Sequence, residues 1–187
     1  MSEYNFKTKP YAHQLEALKQ AYNKEYYAFF MEMGTGKSKV LIDEIGGYFL
    51  QGKIDSALII APKGVYRNWE RGEIPTHLPD EIPYTVAAWR APSEMTKDDK
   101  KKLKDIIYPN GKLRILLMNI EALSGSVGIK YVTQFLHKNN TLLAIDESTT
   151  IKTPTASRTK NAIKISKLAK VRRIMTGSPV TKNPLDV

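Results

Sequence analysis

Residues 29–40 read FFMEMGTGKSKV, and the fold turns on how that stretch is taken. Phe29 and Phe30 close an apolar, strand-like run from Tyr26 to Met31. Gly34-Thr35-Gly36 follows, and Lys37-Ser38 opens a helix-like segment in which Leu41, Ile45 and Tyr48 share one stripe. Strand, glycine loop and helix in that order are the setting of a phosphate-binding loop of pattern G-x-x-x-x-G-K-[ST]. Its glycines let successive backbone N–H groups turn inward on a phosphate at a helix N-terminus, where the peptide dipoles favour an anion. On that reading Lys37 reaches the β- and γ-phosphates and the Ser38 hydroxyl serves Mg²⁺. One position departs from the pattern: its first glycine falls on Met31. The bland alternative is a glycine turn that opens a helix with an exposed lysine.

Working outward, the same alternation recurs. Strand-like runs are read at Tyr26–Met31, Ser56–Ala61, Tyr84–Trp89, Leu113–Asn119, Thr141–Glu147 and Val171–Gly177, several of them apolar on both faces as buried parallel strands are. Leu15, Leu18 and Tyr22 mark a first helix. Ala162, Ile165 and Ala169 mark a late one, opposite Lys160, Lys164, Lys167 and Lys170. Residues 72–83, with Pro75, Pro79 and Pro83, read as a loop, and Lys97–Lys104 as a charged helix or turn. The rhythm predicts one doubly wound α/β domain, mostly parallel, with helices on both faces and its ligand at the strand C-termini.

The chain has 187 residues, enough for one domain with a proper core. It has no cysteine, which excludes disulfides and thiolate metal sites, and its three histidines are scattered. No apolar run approaches a membrane span and the start carries no signal-peptide core, so the expected location is cytoplasmic or nucleoid-associated, with no membrane partner. The net charge is +10, and residues 148–185 hold nine basic residues and no acidic one. That asymmetry suits a polyanionic partner, or a merely solvated helix face.

The quoted loop resembles motif I of superfamily-2 helicases in the form [DA]EMG-x-GK[ST], especially that of Swi/Snf-type ATPases. That form keeps Glu32, Met33, Gly34, Gly36 and Lys37 and needs no glycine at 31. The resemblance makes Met33, Gly34, Thr35, Gly36, Lys37 and Ser38 the ATP-binding loop. KPYAHQLEAL (9–18) is similar to the adenine-reading segment before motif I, which gives Gln14 the adenine edge. LIIAPKGVYRNW (58–69) resembles motif Ia and assigns Lys63 to a nucleic-acid phosphate, with Trp69 read as a packing residue. LLMNIEAL (116–123) looks like T-[SN]-Y-E-x-L, which puts Asn119 near the strand track, with Ile120 in place of tyrosine.

LLAIDEST (142–149) resembles motif II. Asp146 would hold the Mg²⁺ shell, and Glu147 would orient the attacking water; Thr149 stands where the family has histidine. TIKTPTASRTKNAIKI (150–165) is similar to the segment that follows it in Swi/Snf-type chains. RIMTGSPVTKNPLDV (173–187) resembles motif III, whose Thr176, Gly177 and Ser178 would report nucleotide state.

The resemblance implies the first RecA-like domain of a superfamily-2, Swi/Snf-like helicase or translocase. ATP and Mg²⁺ are its cofactors, nucleic acid (double-stranded DNA above all) its partner, and a second RecA-like domain carries the arginine that completes hydrolysis. Two rival expectations stand beside it. A non-hydrolysing, nucleotide-responsive DNA-binding module would keep only the fold, and a P-loop small-molecule kinase would share Lys37 and Ser38 but has no use for TGSPVTKNP.

Overall fold

A computed structural model of the protein describes residues 4–62, 64–90, 93–146 and 157–177. Six strands are found where the sequence placed them: β1 (Tyr26–Phe30), β2 (Ser56–Ile60), β3 (Tyr84–Ala88), β4 (Leu113–Met118), β5 (Thr141–Asp146) and β6 (Val171–Thr176). They form one sheet in the order β1-β6-β5-β2-β4-β3, every pairing parallel. Strands β2 and β4 are buried along their whole length, which is why they read as continuous apolar runs rather than alternating ones.

Because side chains alternate along a strand, each sheet face gathers its own core. Phe29, Ala57, Ile59, Ile115, Leu117, Ala144 and Met175 point to one face. There they meet α1 (Ala12–Ala21), α2 (Lys37–Leu50) and the helical stretch that follows β2. Leu58, Ile60, Leu116, Met118, Leu143 and Ile145 point to the other face, covered by α5 (Lys97–Asp105), α6 (Ser126–Lys138) and α7 (Ser157–Ser166). Helix α2 is buried from Lys39 to Tyr48, hemmed in by the sheet, α1 and the N-terminal segment around Tyr4. Burial of that extent anchors the loop from which the helix starts.

Three sequence expectations change. Residues 66–77 are helical, as α3 (Tyr66–Asn68), a π-helical turn (Trp69–Glu73) and α4 (Ile74–His77), so only the end of the expected 72–83 loop remains one. The prolines mislead because Pro75 falls where the π-helical turn passes directly into α4, a change of helical pitch at which a residue without an N–H interrupts the bonding ladder least. Trp69 on that turn is buried, a packing residue as read.

The first helix buries Gln14, Leu18 and Ala21; Leu15 and Tyr22 are only half-buried, and Tyr22 lies past the last turn. The late basic face is shorter than its periodicity suggested. Helix α7 stops at Ser166, so Lys160 and Lys164 share it, while Lys167 and Lys170 lie on the turn back into β6.

Candidate nucleotide site

Strand β6, threaded last, lies between β1 and β5. Phe30 is level with Thr176, and Asp146 with Met175, so β1, β6 and β5 end together at one edge. Two strand spacings put Asp146 about 10 Å from the start of the glycine loop. The loop rests on β6 through the bond from Met31 N to Thr176 O (3.3 Å). Gly177 is tucked beneath it, since a Cβ there would lie 3.4 Å from Met33 N and 3.5 Å from Met31 O.

Gly34 and Gly36 adopt φ of 78° and 82°, the left-handed region that glycine enters without strain. Gly36 is the N-cap of α2, and a Cβ on it would run into the Gln14 amide. Two polar side chains of α1 close on the same backbone atom. Gln14 Nε2 donates to Thr35 O (3.0 Å), and His13 Nε2 lies 2.9 Å from it. Gln14 Oε1 accepts from Tyr11 N at 3.0 Å, so its amide is buried and turned onto the protein. One lone pair and one N–H of that amide remain for a ligand. Thr35 braces the loop from within, its hydroxyl donating to Glu32 O at 2.7 Å.

Lys37 Nζ donates to Met31 O (2.9 Å) and Glu32 O (3.0 Å), folding the ammonium back over the loop. Among the described residues it has no carboxylate partner. Met33 projects from the loop, 85% exposed. Ser38 is half-buried in the first turn of α2, and Asp146 is half-buried at the end of β5.

The donor set fits a polyphosphate with a divalent ion: inward-turned backbone at a helix N-terminus, one ammonium held by displaceable carbonyls, and hard oxygens from Ser38 and Asp146. Among the described residues no three His, Cys, Asp or Glu converge as a metal cluster. An ion here would therefore take most of its ligands from phosphate and water, as Mg²⁺ does.

Asn119 stands apart. It follows β4, four strands from β1 and so about 19 Å from the loop, and its side chain accepts from Ala122 N (3.0 Å) to cap the 3₁₀ turn Ile120–Ser124. Lys63, Glu147, Thr149 and Ser178 lie outside the described residues.

One buried group escaped the sequence reading. Arg173, counted there with the basic surface, is fully buried and grips Glu44 of α2 with Nε–Oε2 at 2.8 Å and Nη2–Oε1 at 2.6 Å. It also bonds Lys24 O at 3.0 Å. Burial pushes the Glu44 carboxyl up, and the Arg173 bonds pull it back. The signal was a charge on alternate register in an apolar strand, matched by a glutamate on the buried side of the loop helix. The pair ties α2 to β6, the two elements that frame the glycine loop.

The family described as SNF2-related domain matches residues 13–187. No match is found among curated proteins. Among solved structures, the chain resembles the Sulfolobus solfataricus SWI2/SNF2 ATPase core in complex with dsDNA, with a TM-score of 0.71 and 23% identity over 100% of this chain and 35% of that one. It also resembles the UvsW helicase of bacteriophage T4, with a TM-score of 0.62 and 15% identity over 91% of this chain and 53% of that one. The chain thus spans about a third to a half of the structures it resembles. Among the described residues no helix is long and apolar enough to cross a membrane. The motif order read from the sequence, the parallel sheet with the glycine loop at its C-terminal edge and the match over residues 13–187 agree: the chain belongs to the SNF2-related domain family and has the RecA-like fold of a Swi/Snf-like superfamily-2 helicase domain.

Proposed function

We propose that this chain is the ATP-binding half of an ATP-dependent DNA translocase. The observation that carries the reading is the common edge at which β1, β6 and β5 end, with the start of the Lys37 loop and Asp146 on either side of Thr176.

In this reading Lys37 exchanges two loop carbonyls for β- and γ-phosphate oxygens, gaining charge-assisted bonds. The loop N–H groups and the N-terminus of α2 hold the β-phosphate. Ser38 and Asp146 orient the ion, and Glu147, by its motif, positions the attacking water. Mg²⁺, when bound, neutralises charge on the β- and γ-phosphates. Gln14 offers its remaining donor and acceptor to adenine and couples that contact to the loop through Thr35 O. Thr176, whose carbonyl accepts a hydrogen bond from Met31 N, would pass a change in the loop along the chain to Gly177 and Ser178. Lys63 and Asn119 fall to the nucleic-acid track. Double-stranded DNA is the proposed substrate, supported by the duplex named with the S. solfataricus relative.

Hydrolysis needs a second RecA-like domain, whose arginine is typically worth about 10³–10⁵ in turnover. The 187 residues alone should therefore bind Mg-ATP and turn it over barely. Titration of the chain with a fluorescent ATP analogue, beside Lys37→Ala, tests the reading. Equal affinity in the two proteins would leave a fold without a nucleotide site.

A further inference from the structure

On the far side of the sheet from the glycine loop, α5 and α6 part to leave a cleft of about 330 Å³. Its walls are Leu103 and Ile107 of the α5 stretch, Tyr131 of α6, and Trp89, the residue after β3. The Trp89 and Tyr131 rings meet at 4.9 Å, and the Tyr131 hydroxyl donates to Leu103 O at 2.6 Å, which fixes the aromatic wall. Lys100 and Lys104 line the same cleft.

The charge on this side is sorted. Positions 97, 100 and 104 lie on one helical stripe, and all three are lysine. Of the α5 acids, Asp98 pairs with Lys102 (3.0 Å), Asp99 accepts from Thr96 N (2.9 Å) and lies 3.6 Å from Arg90, and Asp105 is exposed at the helix end. Among the described residues neither Lys100 nor Lys104 has an ion-pair partner. One end of the cleft reaches the C-terminal edge of the sheet, because Trp89 N donates to Leu117 O (2.8 Å), two residues before Asn119.

We propose that this cleft is a second nucleic-acid contact, in which a base of a single strand packs against Trp89 and Tyr131 while flanking phosphates lie on Lys100 and Lys104. Aromatic wall plus paired cations is the combination that holds single strands without reading sequence. A duplex keeps its bases stacked and cannot fill an aromatic cleft, so the contact selects an unpaired strand. The inference rests on the nucleic-acid reading above and adds to it a place for a strand opened at the edge of a duplex.

The molecule supplies its own reporter. It has two tryptophans, and Trp69 is buried, so Trp89 is the one a ligand can quench. The 187-residue chain, without nucleotide, is titrated with a dT12 oligonucleotide, a dT12·dA12 duplex and inorganic polyphosphate, following tryptophan emission and the anisotropy of labelled DNA. The expected result is quenching by dT12 alone, lost in Trp89→Phe. Lys100→Gln with Lys104→Gln should lower the salt slope of dT12 binding by about 1.4, with an unchanged circular dichroism spectrum. Binding of dT12 by anisotropy without a Trp89 signal would overturn the site while leaving the nucleic-acid reading intact, and so would equal quenching by polyphosphate. No binding of any DNA would overturn both.

Discussion

At the N-terminal end of the strands, Arg114 is buried among Asn139, the Asp55 carboxylate (2.9 Å) and Asp55 O (3.2 Å). Arg173 is locked to Glu44 and the Lys24 carbonyl, and the Ser56 and Thr141 hydroxyls bond each other at 2.7 Å. At the C-terminal end, Lys37 leans on two loop carbonyls, and Gln14 has half its hydrogen-bonding capacity left. The difference separates stability from function. Arg114 and Arg173 at one end are each held by several partners within the fold, whereas the charge at the other end sits on two loop carbonyls that a ligand can displace.

Breaking the first end should cost most. Arg173→Met strands the Glu44 carboxyl in the core, and a loss of about 3–5 kcal/mol in urea unfolding is expected. Arg173→Met with Glu44→Leu should recover most of it, since the penalty lies in the unpaired charge. A double variant as unstable as the single would show that the carbonyls around Arg173 matter more than its glutamate.

Lys37→Ala should do the reverse. Affinity for Mg-ATP falls roughly 10- to 100-fold as charge-assisted bonds are lost, while stability stays within about 0.5 kcal/mol. Calorimetric titration and thermal melting on the same samples read the two effects apart.

Gly36→Ala places a Cβ at positive φ and against Gln14, so a cost of about 1 kcal/mol or more is expected, together with weaker nucleotide binding. Gln14→Ala on that background should relieve the collision but not the φ strain, and a melting series of the three variants separates the two.

Lys160→Gln with Lys164→Gln tests the shortened basic face. If both lysines touch duplex phosphates, the salt slope of binding drops by about 1.8; an unchanged slope marks a solvated face.

The smallest expected effect is a pH dependence in the N-terminal segment. Thr8 Oγ1 lies 2.7 Å from His77 Nδ1, and Lys7 Nζ donates to Pro75 O at 2.8 Å. Burial lowers the His77 pKa from 6.5, with Lys39 adding to the shift and Glu73 opposing it. A lowered folded value means the neutral ring is favoured in the fold. Its contribution is complete above about pH 6.5 and is lost as pH falls through the folded value. Hydrogen exchange over residues 4–11, corrected for intrinsic rates, should quicken between pH 7.5 and 5.5 and lose that trend in His77→Gln.

The six strands were legible because parallel strands covered on both faces read as apolar runs, and the glycine loop because its residue types are dictated by φ and by charge. Pro75 concealed a helix, since a proline at a change of helical pitch looks locally like a breaker. Periodicity carried Lys167 and Lys170 onto a helix that ends at Ser166, because a stripe does not register where the backbone turns away.

The sequence by itself determined the alternation of elements, the loop and its lysine, because local backbone and side-chain chemistry specify them. Only the tertiary structure decided that β6 lies between β1 and β5, that Gln14 grips Thr35 O, and that Arg173 belongs to the core and not to the basic surface. Each of those joins residues distant in the chain, and strand order and burial arise from how the whole sheet closes its two faces, not from any local pattern.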